Sequence, residues 1–485
     1  MRSLRPHKSP SPYNLLMPVS PARAAAFEIL MRIEETAAYA SEMLHSARFA
    51  KLAAADHGLM TELVMGVLRW RSVLDETIAD FSGAPRAKPL PPKAGRSVAP
   101  QSGGTPSEPR LRFDLEVLTA LRLGLYQLVF LDRVPRHAAV NESVELVKRA
   151  RKRSAAGLVN AVLRKITKAE FSPDNCGAHP QWMLERWQRE YGADITRQIC
   201  GHDQAAPEPA IRTGPISPPS NTSGAAIAEE QEQFRTFFDQ PGPERIHLAP
   251  GRLLTRAAVV TAGDITRTVA YRERRLVIQD EASQLVALLA GRGQKILDCC
   301  AAPGGKTRIL AAQNPQAEIV AMELHPHRAT LLKQFVPANV KVMVGDARAM
   351  PFRSCFDCVL VDAPCSGTGT LARNPEIKWR LKADDLSRLQ AYQIEILRSA
   401  MQALSPGGRL VYSTCSLEPE ENQQVIEKVL ADSWRVIQCR QELLRLESQG
   451  ELSWSDIDSL VRGPYLRTLP GVHPCEGFFA ALLTN

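Results

Sequence analysis

No uninterrupted run of eighteen apolar residues occurs among these 485 positions, although apolar types make up 44% of them. No segment can therefore cross a bilayer as a helix, and no membrane partner is expected. The opening MRSLRPHKSPSPYNLL is basic and carries prolines but lacks the apolar core of a secretory signal, so residues 1–19 read as a disordered basic tail and the protein as cytoplasmic. Ten cysteines in such a chain are expected as reduced thiols, not as a disulfide framework. A metal site is also missing its parts. Cys355 and Cys358 form a C-x-x-C, but no second C-x-x-C and no H-x-x-x-H supplies the other ligands of a structural zinc, so no metal is expected. Cys358 opens an apolar strand, where a small buried thiol is common.

Basic excess is absent from most of the chain. Residues 1–170 hold 26 Lys and Arg against 16 Asp and Glu, whereas the remainder holds 34 against 36. The densest run, Lys148-Arg149-Ala150-Arg151-Lys152-Arg153, suits phosphate contacts with counterion release, or else is a solvated helix end.

A chain of this length exceeds what one core serves, so two or three domains are expected. From 20 to 170 the pattern is all-α: PARAAAFEILMRIEE, HGLMTELVMGVLRWRSVLDETIADF, LEVLTALRLGLYQLVFL and SAAGLVNAVLRKI repeat apolar residues at spacings of three and four. Residues 83–110, with seven prolines and four glycines in 28 positions, read as a flexible insertion. Residues 171–290 read as a small connecting α/β region, with a helix near AAIAEEQEQFRTFF and an extended piece at RRLVIQD. From 291 to 485 short β-branched runs, KILDC, EIVAM, VKVMV, DCVLVDA and RLVYST, alternate with helical stretches, the pattern of a parallel doubly wound sheet. Ligands of such sheets bind beyond the carboxyl ends of the strands.

Those ends supply the loop Cys300-Ala301-Ala302-Pro303-Gly304-Gly305-Lys306, then Glu323, Asp346, Asp362 with Cys365, and Cys415. A phosphate loop requires a glycine where Cys300 stands. A nucleoside loop needs only small residues for close backbone approach, followed by an acid at the next strand end to accept from ribose hydroxyls. Ala301, Ala302, Gly304, Gly305 and Glu323 meet those needs better, with ATP hydrolysis the lesser alternative. Asp346 is placed to accept from an adenine amino group, or to cap a turn. Cys365 and Cys415, on loops at adjacent strand ends beside Asp362, suggest covalent chemistry by a thiolate.

LDCCAAPGGKT, VDAPCSGTGTLARNPEIKWR and YSTCSLEPEEN, in this order, resemble the cofactor, first-cysteine and nucleophile motifs of the NOL1/NOP2/Sun family of RNA cytosine-5 methyltransferases. LRLGLYQLVFLDRVPRHAAVNESVELVKRA and GLVNAVLRK resemble the NusB-type RNA-binding domain, a pairing characteristic of bacterial enzymes that methylate 16S ribosomal RNA. The resemblance implies a multidomain chain. An all-α NusB-like domain would occupy 20–170, a connecting RNA-binding region 171–290, and a Rossmann-like class I methyltransferase sheet 291–485. It assigns Cys300, Ala301, Ala302, Pro303, Gly304, Gly305, Lys306, Glu323, Asp346 and Asp362 to S-adenosyl-L-methionine. Cys415 is implied as the nucleophile, Cys365 in product release and Asp362 in stabilising the cytosine. Cys299, where the family has an apolar residue, is expected to pack within its strand. The implied partner is 16S ribosomal RNA presenting an unpaired or flipped-out cytosine, bound by a monomer. Arg373, Lys378 and Trp379 are candidates for RNA contacts by charge or stacking, or are ordinary loop residues. A transfer RNA, another ribosomal cytosine, or a non-catalytic NusB-like RNA-binding factor are the competing readings.

Overall fold

The computed structural model describes residues 19–36, 38–83, 113–168, 171, 173–212 and 246–485. Apart from Val19 and Gly83 at their margins, the expected tail and insertion lie outside the described residues, as does the helix expected near AAIAEEQEQFRTFF. The chain forms two compact units, one reaching Pro180 and including Asn374–Glu376, the other comprising Gln181–Arg373 and Ile377–Asn485.

The described elements of the first unit are all helical: α1 (Pro21–Glu35), α2 (Ala40–Leu44), α3 (Ala54–Arg69), α4 (Arg71–Ser82), α5 (Leu115–Phe130), α6 (Arg136–Arg149) and α7 (Ala156–Lys165). Proline at the first turn of α1 gives up a donor that a helix start leaves unpaired anyway. The stretch HGLMTELVMGVLRWRSVLDETIADF, read as one helical segment, is two helices. Trp70 breaks it at φ −101° and ψ 13°, with its ring 4.9 Å from that of Phe130. Helices α3 and α5 approach closely because Gly66 has no side chain: a Cβ there would lie 1.9 Å from the ring of Tyr126. The Tyr126 hydroxyl donates to Glu62 at 2.5 Å, and buried Arg122 donates to both oxygens of Asp75, at 2.7 and 2.6 Å. Between α6 and α7 the chain turns through Arg151, in the left-handed region at φ 63°, beside a hollow lined by Lys148, Arg149, Arg151, Arg153 and Ser154.

The second unit begins with α8 (Gln181–Tyr191) and α9 (Ala193–Gln204), parted at Gly192 with φ 86°. A small antiparallel sheet follows in the order β1 (Ala210–Arg212), β3 (Ala257–Ala262), β2 (His247–Pro250). RRLVIQD, expected as extended, contributes only a single bridge from Ile278 to Ile211.

The large sheet contains β4 (Lys295–Asp298), β5 (Glu318–Glu323), β6 (Val340–Val344), β7 (Phe356–Asp362), β8 (Leu404–Thr414), β9 (Arg435–Ile437), β10 (Val461–Arg462), β11 (Tyr465–Arg467) and β12 (Phe479–Thr484). Its order is β10-β11-β12-β8-β7-β4-β5-β6, with β9 also on β12. The five strands anticipated from the sequence are the parallel ones. The sheet as a whole is mixed rather than parallel, because β12 runs antiparallel to β8 and extends the sheet with further antiparallel strands.

Helices α10 (Glu281–Ala290), α11 (Gly305–Gln313), α12 (Pro326–Phe335), α13 (Ala383–Ala403), α14 (Gln423–Val429) and α15 (Cys439–Ser448) accompany the sheet. The period of two in the strands sorts their apolar residues between two cores. Ile296, Leu360, Val411 and Leu482 pack with residues of α10, α11 and α15, while Leu297, Val359, Val361, Tyr412 and Leu483 pack with α13 and α14. Burial on both faces explains why the strands read as continuous apolar runs. Strand order reverses between β4 and β7, and the crevice beyond their carboxyl ends is where ligands of such sheets bind.

Candidate active site

Strand β4 delivers Asp298, and the chain then turns through residues 299–304 into α11. Asp298 is buried. One of its oxygens accepts from the Thr307 hydroxyl at 2.7 Å, and burial pushes its carboxyl up to about 7. Gly304 has φ 112°, a backbone conformation that favours glycine, and it packs on α12, where a Cβ would lie 2.9 Å from the tip of the Leu332 side chain. A Cβ on Gly305 would come 3.0 Å from the Gln279 side chain. Cys299 is buried in the core between sheet and helices, matching its expected packing role. Cys300 is partly exposed, and burial of its sulfur together with Asp298, Asp362 and Glu323 pushes its thiol well up, away from nucleophilic character.

The end of β7 faces that turn. The Lys306 ammonium donates to Asp362 at 2.7 Å, and the Ser413 hydroxyl at the end of β8 donates to the other Asp362 oxygen at 2.9 Å. Two strand ends and the start of α11 thus meet at one carboxylate, and Lys306 also stands 5.2 Å from the Phe478 ring centroid.

Beyond Asp362 and Ser413 the sulfurs of Cys365 and Cys415 are 3.3 Å apart. The hydrogen bond with Cys415 pushes the Cys365 thiol well up, followed by burial and the charges of Cys415 and Glu421. Backbone holds the loops as well: the Gly369 N–H donates to the Cys415 carbonyl at 2.9 Å and the Gly477 N–H to the Gly369 carbonyl at 2.8 Å. After Cys415, Arg467 donates to the Ser416 carbonyl at 2.7 Å. Glu418, fully buried, accepts from Arg186 at 2.7 Å and from the Trp187 indole at 3.0 Å, both on α8.

Two more acids stand at strand ends. Glu323 is buried and accepts from the His325 N–H at 3.0 Å, and the Gly345 N–H donates to the Glu323 carbonyl at 3.0 Å, which brings the Asp346 turn beside it. Asp346 caps the turn 347–349 by accepting from the Arg348 N–H at 2.9 Å. The Arg348 guanidinium holds its carboxyl below the usual range. Arg373 is engaged by Glu476 at 2.9 Å and Asp280 at 3.7 Å, and Lys378 is buried, 5.4 Å from the Trp379 ring centroid, so neither cation is a bare surface charge.

Sequence reasoning missed Glu421 and its contacts with Ser366 and Ser416, and the shared grip of Lys306 and Ser413 on Asp362. A signal was present in each case: Ser366 and Ser416 directly follow the two cysteines, and Lys306 stands at the start of the helix that faces β7.

The chain is similar to known proteins along most of its length. Residues 285–484 match the family described as 16S rRNA methyltransferase RsmB/F, and residues 20–93 and 107–168 match the NusB family. Ribosomal RNA small subunit methyltransferase B of Vibrio cholerae is 31% identical over 96% of this chain and 97% of its own. The probable ribosomal RNA small subunit methyltransferase B of Bacillus subtilis is 30% identical over 84% of this chain and 88% of its own. The crystal structure of PH0851 shares the fold at a TM-score of 0.68 and 22% identity, covering 97% of this chain and all of that one. The chain belongs to the RsmB/F family of ribosomal RNA methyltransferases, with an amino-terminal NusB-family domain.

Proposed function

We propose that this enzyme transfers a methyl group from S-adenosyl-L-methionine to carbon 5 of one cytosine in 16S ribosomal RNA, through a covalent bond between Cys415 and carbon 6. The observation that carries the reading is the pair of sulfurs 3.3 Å apart next to the Lys306–Asp362 pair.

The turn after β4 suits the cofactor, because it is built of small residues at a strand end and buried Glu323 offers a carboxylate at the neighbouring strand end. Residues 300–306 with Glu323, Asp346 and Asp362 would hold it, and when bound it supplies an electrophilic methyl. Cys415, as thiolate, adds to carbon 6 and shifts electron density to carbon 5. Asp362 hydrogen-bonds the ring at nitrogen 3 and, with the Lys306 ammonium beside it, stabilises the charge that develops during the addition by groups already in place. After carbon 5 has been methylated, its proton leaves to a base assisted by Cys365, and the sulfur–carbon bond to Cys415 breaks. A base in a paired helix cannot reach such a crevice, so the cytosine is unpaired or flipped out. Phosphate contacts from the basic first unit supply affinity more than sequence choice.

Bisulfite sequencing of total RNA from cells with and without the gene tests the reading. One 16S cytosine should lose its protection from deamination when the gene is removed. An unchanged 16S profile with a change in another RNA would move the substrate, and no change in any RNA would overturn the reaction.

A further inference from the structure

We propose that Glu421 is a positioning residue of this reaction, its one carboxylate tying the loop of Cys365 to the loop of Cys415 so that the two sulfurs keep their contact spacing. The inference rests on the reading that both thiols act. Glu421 follows β8 and is fully buried. Its Oε1 accepts from the Ser366 N–H at 2.8 Å and from the Gln393 amide at 2.9 Å, and its Oε2 accepts from the Ser416 hydroxyl at 2.5 Å and from the Ser366 hydroxyl. Ser366 adjoins Cys365, and Ser416 adjoins Cys415. Gln393 donates in addition to the carbonyl of Pro364, on the other side of Cys365, at 2.9 Å. The backbone of Glu421 is held too, because the Tyr412 hydroxyl within β8 donates to its carbonyl at 2.7 Å.

Among the described residues no Lys, Arg or His is paired with this carboxylate, so its charge is met by dipoles alone, all drawn from the two thiol loops and the helix behind them. An unneutralised buried charge is expensive, and a neutral polar core would close the same space at less cost. The return for keeping it is geometric. A carboxylate has four acceptor positions and no donor, so it can take up both serine hydroxyls, a backbone N–H and an amide at once. Glu421 also lies close enough to the pair for its charge to add to the contact with Cys415 and the burial that push the Cys365 thiol up.

The test uses the full chain and a probe that needs neither RNA nor cofactor. Phenylarsine oxide bridges two thiols that are already close, releasing water, and mass spectrometry of peptides locates the bridge between Cys365 and Cys415. In Glu421→Gln the bridging rate should fall at least fivefold and kcat at least tenfold, with the Kd for S-adenosylmethionine within twofold of wild type. Glu421→Gln with bridging and kcat both near wild type overturns the proposal. So does a loss of kcat with bridging unchanged, which would place the residue outside thiol spacing. If Glu421→Gln does not fold, the double variant Ser366→Ala/Ser416→Ala, which leaves the charge and removes the hydroxyl ties, is read by the same two outcomes. Should the wild type methylate no RNA, the arsenical measurement still decides whether Glu421 sets the spacing.

Discussion

Cys365 and Cys415 are chemically alike and their sulfurs lie 3.3 Å apart, yet the contact between them and burial push the Cys365 thiol well up. Cys415→Ala should abolish methyl transfer and leave cofactor binding intact, whereas Cys365→Ala should accumulate a protein–RNA adduct on denaturing gels. Adduct with Cys415→Ala and none with Cys365→Ala would reverse the roles. Asp298 is the other residue whose surroundings decide its state. Burial raises its carboxyl to about 7 from an ordinary 3.8, so between about pH 4 and pH 7 the folded chain binds a proton that the unfolded chain has released. Its contribution to stability is therefore greatest below pH 4, falls as pH rises towards 7 and is level above that. Asp298→Asn, which does not titrate, should gain on wild type in Tm through that interval; a Tm difference that stays flat from pH 4 to 8 would show that Asp298 does not titrate there.

Elements place these residues, and some of that placement is legible in the sequence. The five parallel strands stand out as short β-branched runs, and the importance of the loops after them follows because a doubly wound sheet gathers its strand ends. The antiparallel margin is not legible. GFFAALLT is a short apolar run without a period that separates strand from buried helix, and only its pairing with β8 decides between them. Glu421 is hidden for a related reason: in SLEPEEN it is one acid among three, and sequence does not say which of them faces inward. The contact between Gly369 and Gly477 is likewise a tertiary fact. A Cβ on Gly369 would lie 2.1 Å from the Gly477 carbonyl oxygen and 2.9 Å from that of Cys415, both rigid backbone. Gly369→Ala should cost about 1–3 kcal/mol of stability and lower kcat, measured by denaturant titration and methyl transfer. Stability and kcat both near wild type would mean that the two loops are free to separate.

At the scale of the molecule, charge is divided unevenly along the chain, with the excess in the NusB-family portion. The hollow between α6 and α7 concentrates it. Lys148 is paired with Glu145 and Lys152 with Asp114, while Arg151 and Arg153 are exposed and have no acid partner among the described residues. Replacing both by Gln should weaken RNA binding and reduce the slope of log K against log salt by roughly 1.4–1.8, about 0.7–0.9 for each phosphate no longer neutralised. A slope that does not change would place the phosphates elsewhere. The position of β12 has a consequence in time. This strand covers the edge of β8, which carries the approach to Cys415, yet it begins 65 residues after β8 ends. At a synthesis rate of about 5–20 residues per second, the ribosome needs roughly 3–13 s to make that stretch. During that interval the row from Leu410 to Thr414 has one unpaired margin open to any passing strand. The nascent chain therefore exposes an unpaired apolar strand edge just before Cys415, and slowing translation between the two strands should lower the yield of soluble enzyme.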